Sequence, residues 1–184
     1  MSRGLLSSFA LIVLVMPASA GAWEWSIGAN MSAGTTQSGA HSGTSTALGL
    51  PSNALTYQPG FRIGYGNSRR THEFDLDGGA LVIGEEGSTV SLIVGSLGYQ
   101  HAFGRSPTST PFANVGLGFL REGSALKAGT NATFGAGVGW RRVLRQERGD
   151  IRAEIRYDYL KGGGPFGRPD LTTVALKLGF DLWL

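Results

Sequence analysis

The densest run of ionisable side chains is DIRAEIRYDYL, Asp150 to Leu160. Arg152, Glu154, Arg156 and Asp158 alternate there with Ile151, Ala153, Ile155, Tyr157 and Tyr159. Residues two apart share one face of a strand, so the four charges form a ladder on one side and the apolar set lies on the other. Water could solvate such a ladder while a core takes the apolar face, or lipid could take the apolar face while the charges point into an enclosure. Other candidates for chemistry are sparse. His41, His72 and His101 are far apart with no paired ligand spacing, so no metal is expected. Ser42 follows His41, but no carboxylate is placed to orient that histidine as the base of a nucleophile. The absence of cysteine excludes disulfides, thiolate metal sites and a cysteine nucleophile, as well as a lipidated N-terminal cysteine. GAGVGW, Gly135 to Trp140, resembles a nucleotide-binding glycine loop only superficially, since it lies in an alternating run with no helix after it. NAT, Asn131 to Thr133, is a glycosylation sequon by spelling alone. No cofactor is expected.

The elements that must position the ladder are strands throughout. The 184 residues include 30 glycines, and period-2 runs recur between Gly, Ser, Pro and Asn clusters. Runs near residues 23–31, 56–65, 71–82, 89–103, 111–120, 130–142, 150–160 and 174–184 give about eight strands of about 9–13 residues, long for a soluble sheet and suited to a tilted membrane strand. The fourth run changes phase between Val90, Leu92, Val94 and Leu97, Tyr99, Phe103, which predicts a bulge near Gly95. The Ser/Gly/Thr-rich stretch 32–54 reads as a long loop. Connections at 32–54, 83–88, 121–129 and 161–171 read as one set. The shorter GNSRR, GRSPTST and LRQERGD form the other, an asymmetry that outer-membrane barrels show.

Aromatic placement decides between water and lipid for the apolar face. In an up-and-down barrel, one rim receives Trp23, Trp25, Tyr65, Phe103, Phe112, Trp140 and Phe180, and the other Tyr57, Phe119, Phe134, Tyr157 and Tyr159. Two aromatic bands flanking an aliphatic belt suit a bilayer, because amphipathic rings favour the headgroup layer. The expected fold is therefore all-β, an eight-stranded antiparallel up-and-down transmembrane barrel. Its inward charges are then Glu24, Arg62, Glu73, Asp75, Asp77, Arg141, Arg152, Glu154, Arg156, Asp158, Lys177 and Asp181. Charges in so narrow an enclosure must pair. Gly116, Gly118, Gly135, Gly137 and Gly139 point inward beside the ladder and leave room for its long side chains. A salt-bridged, mostly closed lumen is expected rather than an open pore.

Residues 1–20 read as a cleaved secretory signal: Arg3, then an apolar run from Leu5 to Met16, then Ala18, Ser19 and Ala20 as a small-residue cleavage site. Residues 21–184 would form the barrel domain. The formal charge of +3 and the 16% of scattered charged residues argue against a nucleic-acid partner.

The signal, the amphipathic strands, FANVGLGF and RAEIRYDY together resemble the small outer-membrane β-barrels of the porin family, with the architecture of outer membrane proteins A and X. The resemblance covers almost the whole mature chain and rests on architecture. It implies a Gram-negative cell envelope and a chain surrounded by outer-membrane lipid and lipopolysaccharide. It also implies recognition by the outer-membrane assembly machinery, and favours a monomer. Members of such a group usually end in Phe; this chain ends in Leu184 with Phe180 inboard, though its alternating apolar end remains. A non-catalytic role is expected, structural or presenting surface loops. The alternatives are a narrow diffusion pore, a soluble periplasmic barrel or sandwich, and a lipid-modifying enzyme using a His, a Ser and an acid, for which only His41 lies at the outer side.

Overall fold

Alternation of apolar and polar residues with glycine between them makes strands, and strands that run on past ten residues must find partners along their whole length. In the computed structural model these are β1 (Trp23–Ser38), β2 (His41–Gly49), β3 (Gly60–Asn67), β4 (His72–Glu85), β5 (Ser88–Ala102), β6 (Ser109–Ser124), β7 (Ala128–Val143), β8 (Gly149–Leu160) and β9 (Leu171–Trp183). The structure describes residues 22–38, 41–49, 60–85, 88–104, 108–124, 128–144, 148–163, 167 and 169–184. Tyr57 and the expected signal segment lie outside the described residues.

Every neighbouring pair is antiparallel, and β1 pairs with β9 to close the sheet. The result is a closed eight-stranded barrel. β2 and β3 lie in series along one edge of β1, at Ser32–Ser38 and Trp23–Asn30 respectively, and together occupy the place of the second strand. Trp25 pairs with Tyr65, and the register passes through Phe74, Tyr99, Val115, Ala136, Tyr157 and Val174. It returns to β1 at Thr35, ten residues beyond Trp25. That stagger over eight strands tilts them by about 40° to the barrel axis.

Three expectations change. β1 runs on to Ser38 and β2 occupies His41–Gly49, so most of the stretch read as a loop is strand. Its Thr and Ser residues are held by the ladder with β9, from Ser26↔Trp183 to Ser38↔Leu171. Likewise β4 and β5 are separated only by residues 86–87, and β6 and β7 by 125–127. The length asymmetry of the connections therefore disappears except at 161–170, because the strands themselves extend at that end. Finally, β5 pairs in unbroken register through Gly95 with both β4 and β6, without a bulge. Val94 is buried and Ile93 exposed, so the phase is constant. What changes along β5 is the chemistry of the inward row, which passes from Gln100 and Gly98 to Val94.

Candidate functional site: a charged lumen inside an apolar sleeve

Inward positions collect the charges. Arg62, Glu73, Asp75, Asp77, Arg141, Arg152, Glu154, Arg156, Asp158, Lys177 and Asp181 are all buried. The hub is Arg62 on β3 rather than the β8 ladder. Its guanidinium is fully buried and lies 2.8 Å from Glu73, 3.3 Å from Asp75, 3.8 Å from Asp77 and 3.5 Å from Asp181. Three of those carboxylates come from alternate positions of the neighbouring β4, and the fourth reaches in from β9. Arg152 Nε donates to Asp181 at 2.6 Å, Lys177 Nζ to Asp77 at 2.6 Å, and Arg141 NH1 to Glu73 at 3.2 Å. On the β8 side, Arg156 donates to Asp158 at 2.8 Å and to Asn114 at 2.5 Å, and approaches Glu154 at 3.4 Å. Asn114 in turn donates to Asp75 at 3.4 Å and so joins the two groups. Multiple charge-assisted bonds of this kind are what make a buried ion cluster tolerable.

Glycines on the facing strands make the space. A Cβ on Gly137 would lie 2.9 Å from Glu154 Cδ, on Gly98 2.8 Å from Asp75 Oδ2, and on Gly179 2.9 Å from Arg152 NH2. Beside Arg156 and Asp158 the interior leaves a void of about 10 Å³, room for no more than about one water.

Both ends of this network are closed. At the end carrying the termini, Trp183 turns inward; its indole N–H donates to Asp150 at 2.7 Å, and Arg70 stacks over its ring at 4.5 Å. Arg70 adopts a left-handed backbone, φ 53°, in the turn after β3, and its carbonyl accepts from Arg141. At the far end, Val94, Leu120 and Leu160 form a buried apolar cluster against Leu171. Thr36 and Thr173 share a hydrogen bond of 3.0 Å between β1 and β9 on the same inward face.

Outward positions are apolar. Trp25, Ile27, Met31, Phe61, Leu76, Val82, Ile93, Val115, Leu117, Val138, Ile155, Leu176 and Leu178 are exposed, Leu117 by 71%. Of the expected rim aromatics, Trp25, Phe103, Trp140 and Phe180 face outward at the terminal end, and Phe119, Phe134 and Tyr157 at the other. Trp23 and Tyr65 are half-buried and stack at 5.0 Å, and Tyr159 packs on Phe134 at 4.7 Å. Phe74 and Tyr99 extend the terminal-end group, 5.2 Å apart. The outward rows turn polar again at Thr35, Arg121 and Thr130, all exposed. Between Trp25 and Thr35 ten residues of tilted strand rise about 25 Å, the height of the apolar band on a membrane barrel.

Two assignments need correction. Phe112 is not a rim aromatic: it is 2% exposed and points inward in phase with Asn114. Gly139 on β7 leaves the space for its ring, since a Cβ there would sit 2.6 Å from Phe112 Cζ. Glu24 is only half-buried near the terminal rim, and among the described residues it joins no ion pair. Asp150, Asn30, Gln100 and Asn114 belong to the interior network and were missed. Each sits in the inward phase of its strand, which is the signal that finds them. The histidines also differ from expectation: His72 and His101 stand directly opposite each other on β4 and β5.

A closed barrel of eight antiparallel strands, polar inside and apolar outside, is the architecture of the small outer-membrane barrels. Neisserial surface protein A (NspA) has this fold, with a TM-score of 0.60 at 15% identity, over 86% of this chain and 96% of its own. Two further structures match at a TM-score of 0.48. One is Ail, the attachment invasion locus protein of Yersinia pestis, in complex with the heparin analogue sucrose octasulfate, at 11% identity over 88% of this chain and 99% of its own. The other is outer membrane protein H (OprH) from P. aeruginosa, at 14% identity with the same coverage. No protein-family model matches the chain, and no curated protein matches it.

Proposed function

We propose that the chain is an integral, non-catalytic protein of the Gram-negative outer membrane whose lumen is closed by its own side chains. Its role is structural or to present the far end of the barrel at the cell surface. The observation that carries this reading is the inversion of polarity: the exposed belt is apolar while most of the buried residues are polar or charged. A soluble barrel or sandwich would place those faces the other way, and a patch of this extent in water would drive aggregation. Lipid and lipopolysaccharide surround the belt, the assembly machinery inserts the chain, and the signal segment is removed on export. A monomer suffices, because β1 pairs with β9 and the sheet closes within one chain.

Orientation follows from the strands. They outlast the apolar belt at the end holding Thr35, Arg121 and Thr130, and that overhang suits the cell surface. The termini then lie in the periplasm. Packing beside Arg156 supports a closed lumen over a narrow pore.

Membrane-extracted protein should migrate differently on a gel before and after boiling. A tag inserted between Ser38 and His41 should be labelled on intact cells, whereas one at Ser68 should not. Recovery only from the soluble periplasm, or the reverse labelling, would overturn the reading.

A further inference from the structure

His72 and His101 are 29 residues apart in sequence, yet the β4–β5 register sets them face to face on the outward side of the barrel. Their Nδ1 atoms are 3.4 Å apart and their ring centroids 4.8 Å apart. Tyr99, next but one along β5, places its hydroxyl 2.7 Å from the same His72 Nδ1. Phe103 packs edge-on against His101 at 4.7 Å and limits its ring rotation. Asn67 accepts from the His72 backbone N–H at 3.2 Å and from that of Thr71 at 2.8 Å, so the start of β4 is anchored. His72 Nδ1 thus has both His101 Nδ1 and the Tyr99 hydroxyl within reach at the terminal rim.

We infer that His72 and His101 form a divalent metal site of the zinc class, with Tyr99 supplying an oxygen donor at the same point. Two nitrogens about 2.0–2.1 Å from one tetrahedral ion stand about 3.4 Å from each other, which is the separation seen here without any movement of the strands. Both imidazoles must carry their remaining proton on Nε2, which leaves the two Nδ1 lone pairs pointing together. In that tautomeric state the Tyr99 hydroxyl donates to His72 Nδ1 while the His101 Nδ1 lone pair stands against it, and a cation takes the place of that hydrogen bond and relieves the opposition. Among the described residues no third His, Cys, Asp or Glu is placed to hold an ion with this pair, so solvent completes the coordination.

The test uses the full mature chain, free of any polyhistidine tag, in detergent micelles, titrated with Zn²⁺ by calorimetry. One equivalent should bind. His72→Gln and His101→Gln should each weaken binding at least tenfold, while His41→Gln should leave it unchanged. Nitrogen NMR of isotope-labelled histidine on the unsubstituted chain removes dependence on the variants' folding: Zn²⁺ should move two Nδ1 resonances and leave their Nε2 partners protonated. No binding, a shift confined to one histidine, coordination through Nε2, or loss of the site with His41→Gln would each overturn the inference.

Discussion

Along β8 the inward residues are Asp150, Arg152, Glu154, Arg156 and Asp158, and then Leu160. On β5 the same change occurs between Gln100 and Val94. One half of the lumen therefore carries the ion network and the other an apolar cluster set among buried polar residues such as Glu122, Asn131, Thr133 and Thr173, though both halves belong to the same barrel and the same side-chain phase. The difference teaches how an eight-stranded barrel can close twice. Ion pairs specify partners across strands by geometry, since Arg62 matches four carboxylates from β4 and β9. The apolar cluster only fills volume. Losing one partner should therefore cost more in the first half than in the second, and the two closures stand in series.

The largest expected effect is at Arg62. Arg62→Ala leaves Glu73, Asp75, Asp77 and Asp181 without their shared cation, and breaking a buried ion pair costs about 3–5 kcal/mol. Arg62→Lys should recover little, because one ammonium cannot span the arc that the guanidinium covers. Urea unfolding in micelles measures both. Near-native stability of Arg62→Ala would remove the asymmetry between the halves.

Next comes the apolar half. Leu120→Ala or Leu160→Ala should cost about 2–5 kcal/mol through lost transfer energy and cavity formation. Neither change should raise conductance in planar bilayers, because the charged half still blocks the path. Arg156→Ala alone should likewise conduct little past the intact cluster. Arg156→Ala combined with Leu160→Ala should open steps that neither single variant shows. Large conductance in the unsubstituted protein would show that neither half closes the lumen.

The outer surface offers a smaller, graded effect. Ala136→Arg puts a charge near the middle of the apolar belt and should cost about 2–4 kcal/mol, Val138→Arg, closer to the Trp140 rim, should cost less, and Thr130→Arg, on the polar overhang of the same strand, should cost about 0–1 kcal/mol. Equal costs would mean that the boundary drawn between them is misplaced.

How much of this was legible beforehand follows from what each feature depends on. Which way Arg152 or Glu73 points depends only on strand phase, and phase is local. That Arg62 is the hub depends on which carboxylates lie across from β3 and on the stagger that brings β9 round to β1, and neither has a local signal. Phe112 shows the same division. Its position near a strand end suggested the rim, while its phase with Asn114 sent it inward, and phase prevails because the backbone pleat leaves no choice. The far end of β1 was hidden for a different reason. Its Ser, Thr and Gly residues look like loop, and it is pairing with β9 from Ser26 to Ser38, and with β2 from Ser32 to Ser38, that keeps it extended. His72 and His101 were set aside for their separation in sequence, although an antiparallel pair erases such distances.

The smallest effect lies outside both halves, in the connection between β8 and β9. Asp170 accepts a hydrogen bond from the Tyr159 hydroxyl at 2.6 Å and another from the Gly162 backbone N–H at 2.7 Å. Those two donors, the tyrosine first, hold its carboxyl below the ordinary carboxylate range. A depressed carboxylate contributes order that is fully present above its unperturbed pKa and is lost as pH falls through the lowered value. The connection should therefore stay anchored at neutral pH and loosen only in acid. Carbon NMR of the Asp170 carboxyl against pH should show a midpoint below that of a free aspartate, and Tyr159→Phe should move it upward. Because the pair is exposed and remote from Arg62, the same substitution should leave the unfolding midpoint of the barrel unchanged. If the midpoint fell as far as it does for Leu160→Ala, the connection would belong to the apolar half and the boundary between the two regions would have to be drawn beyond it.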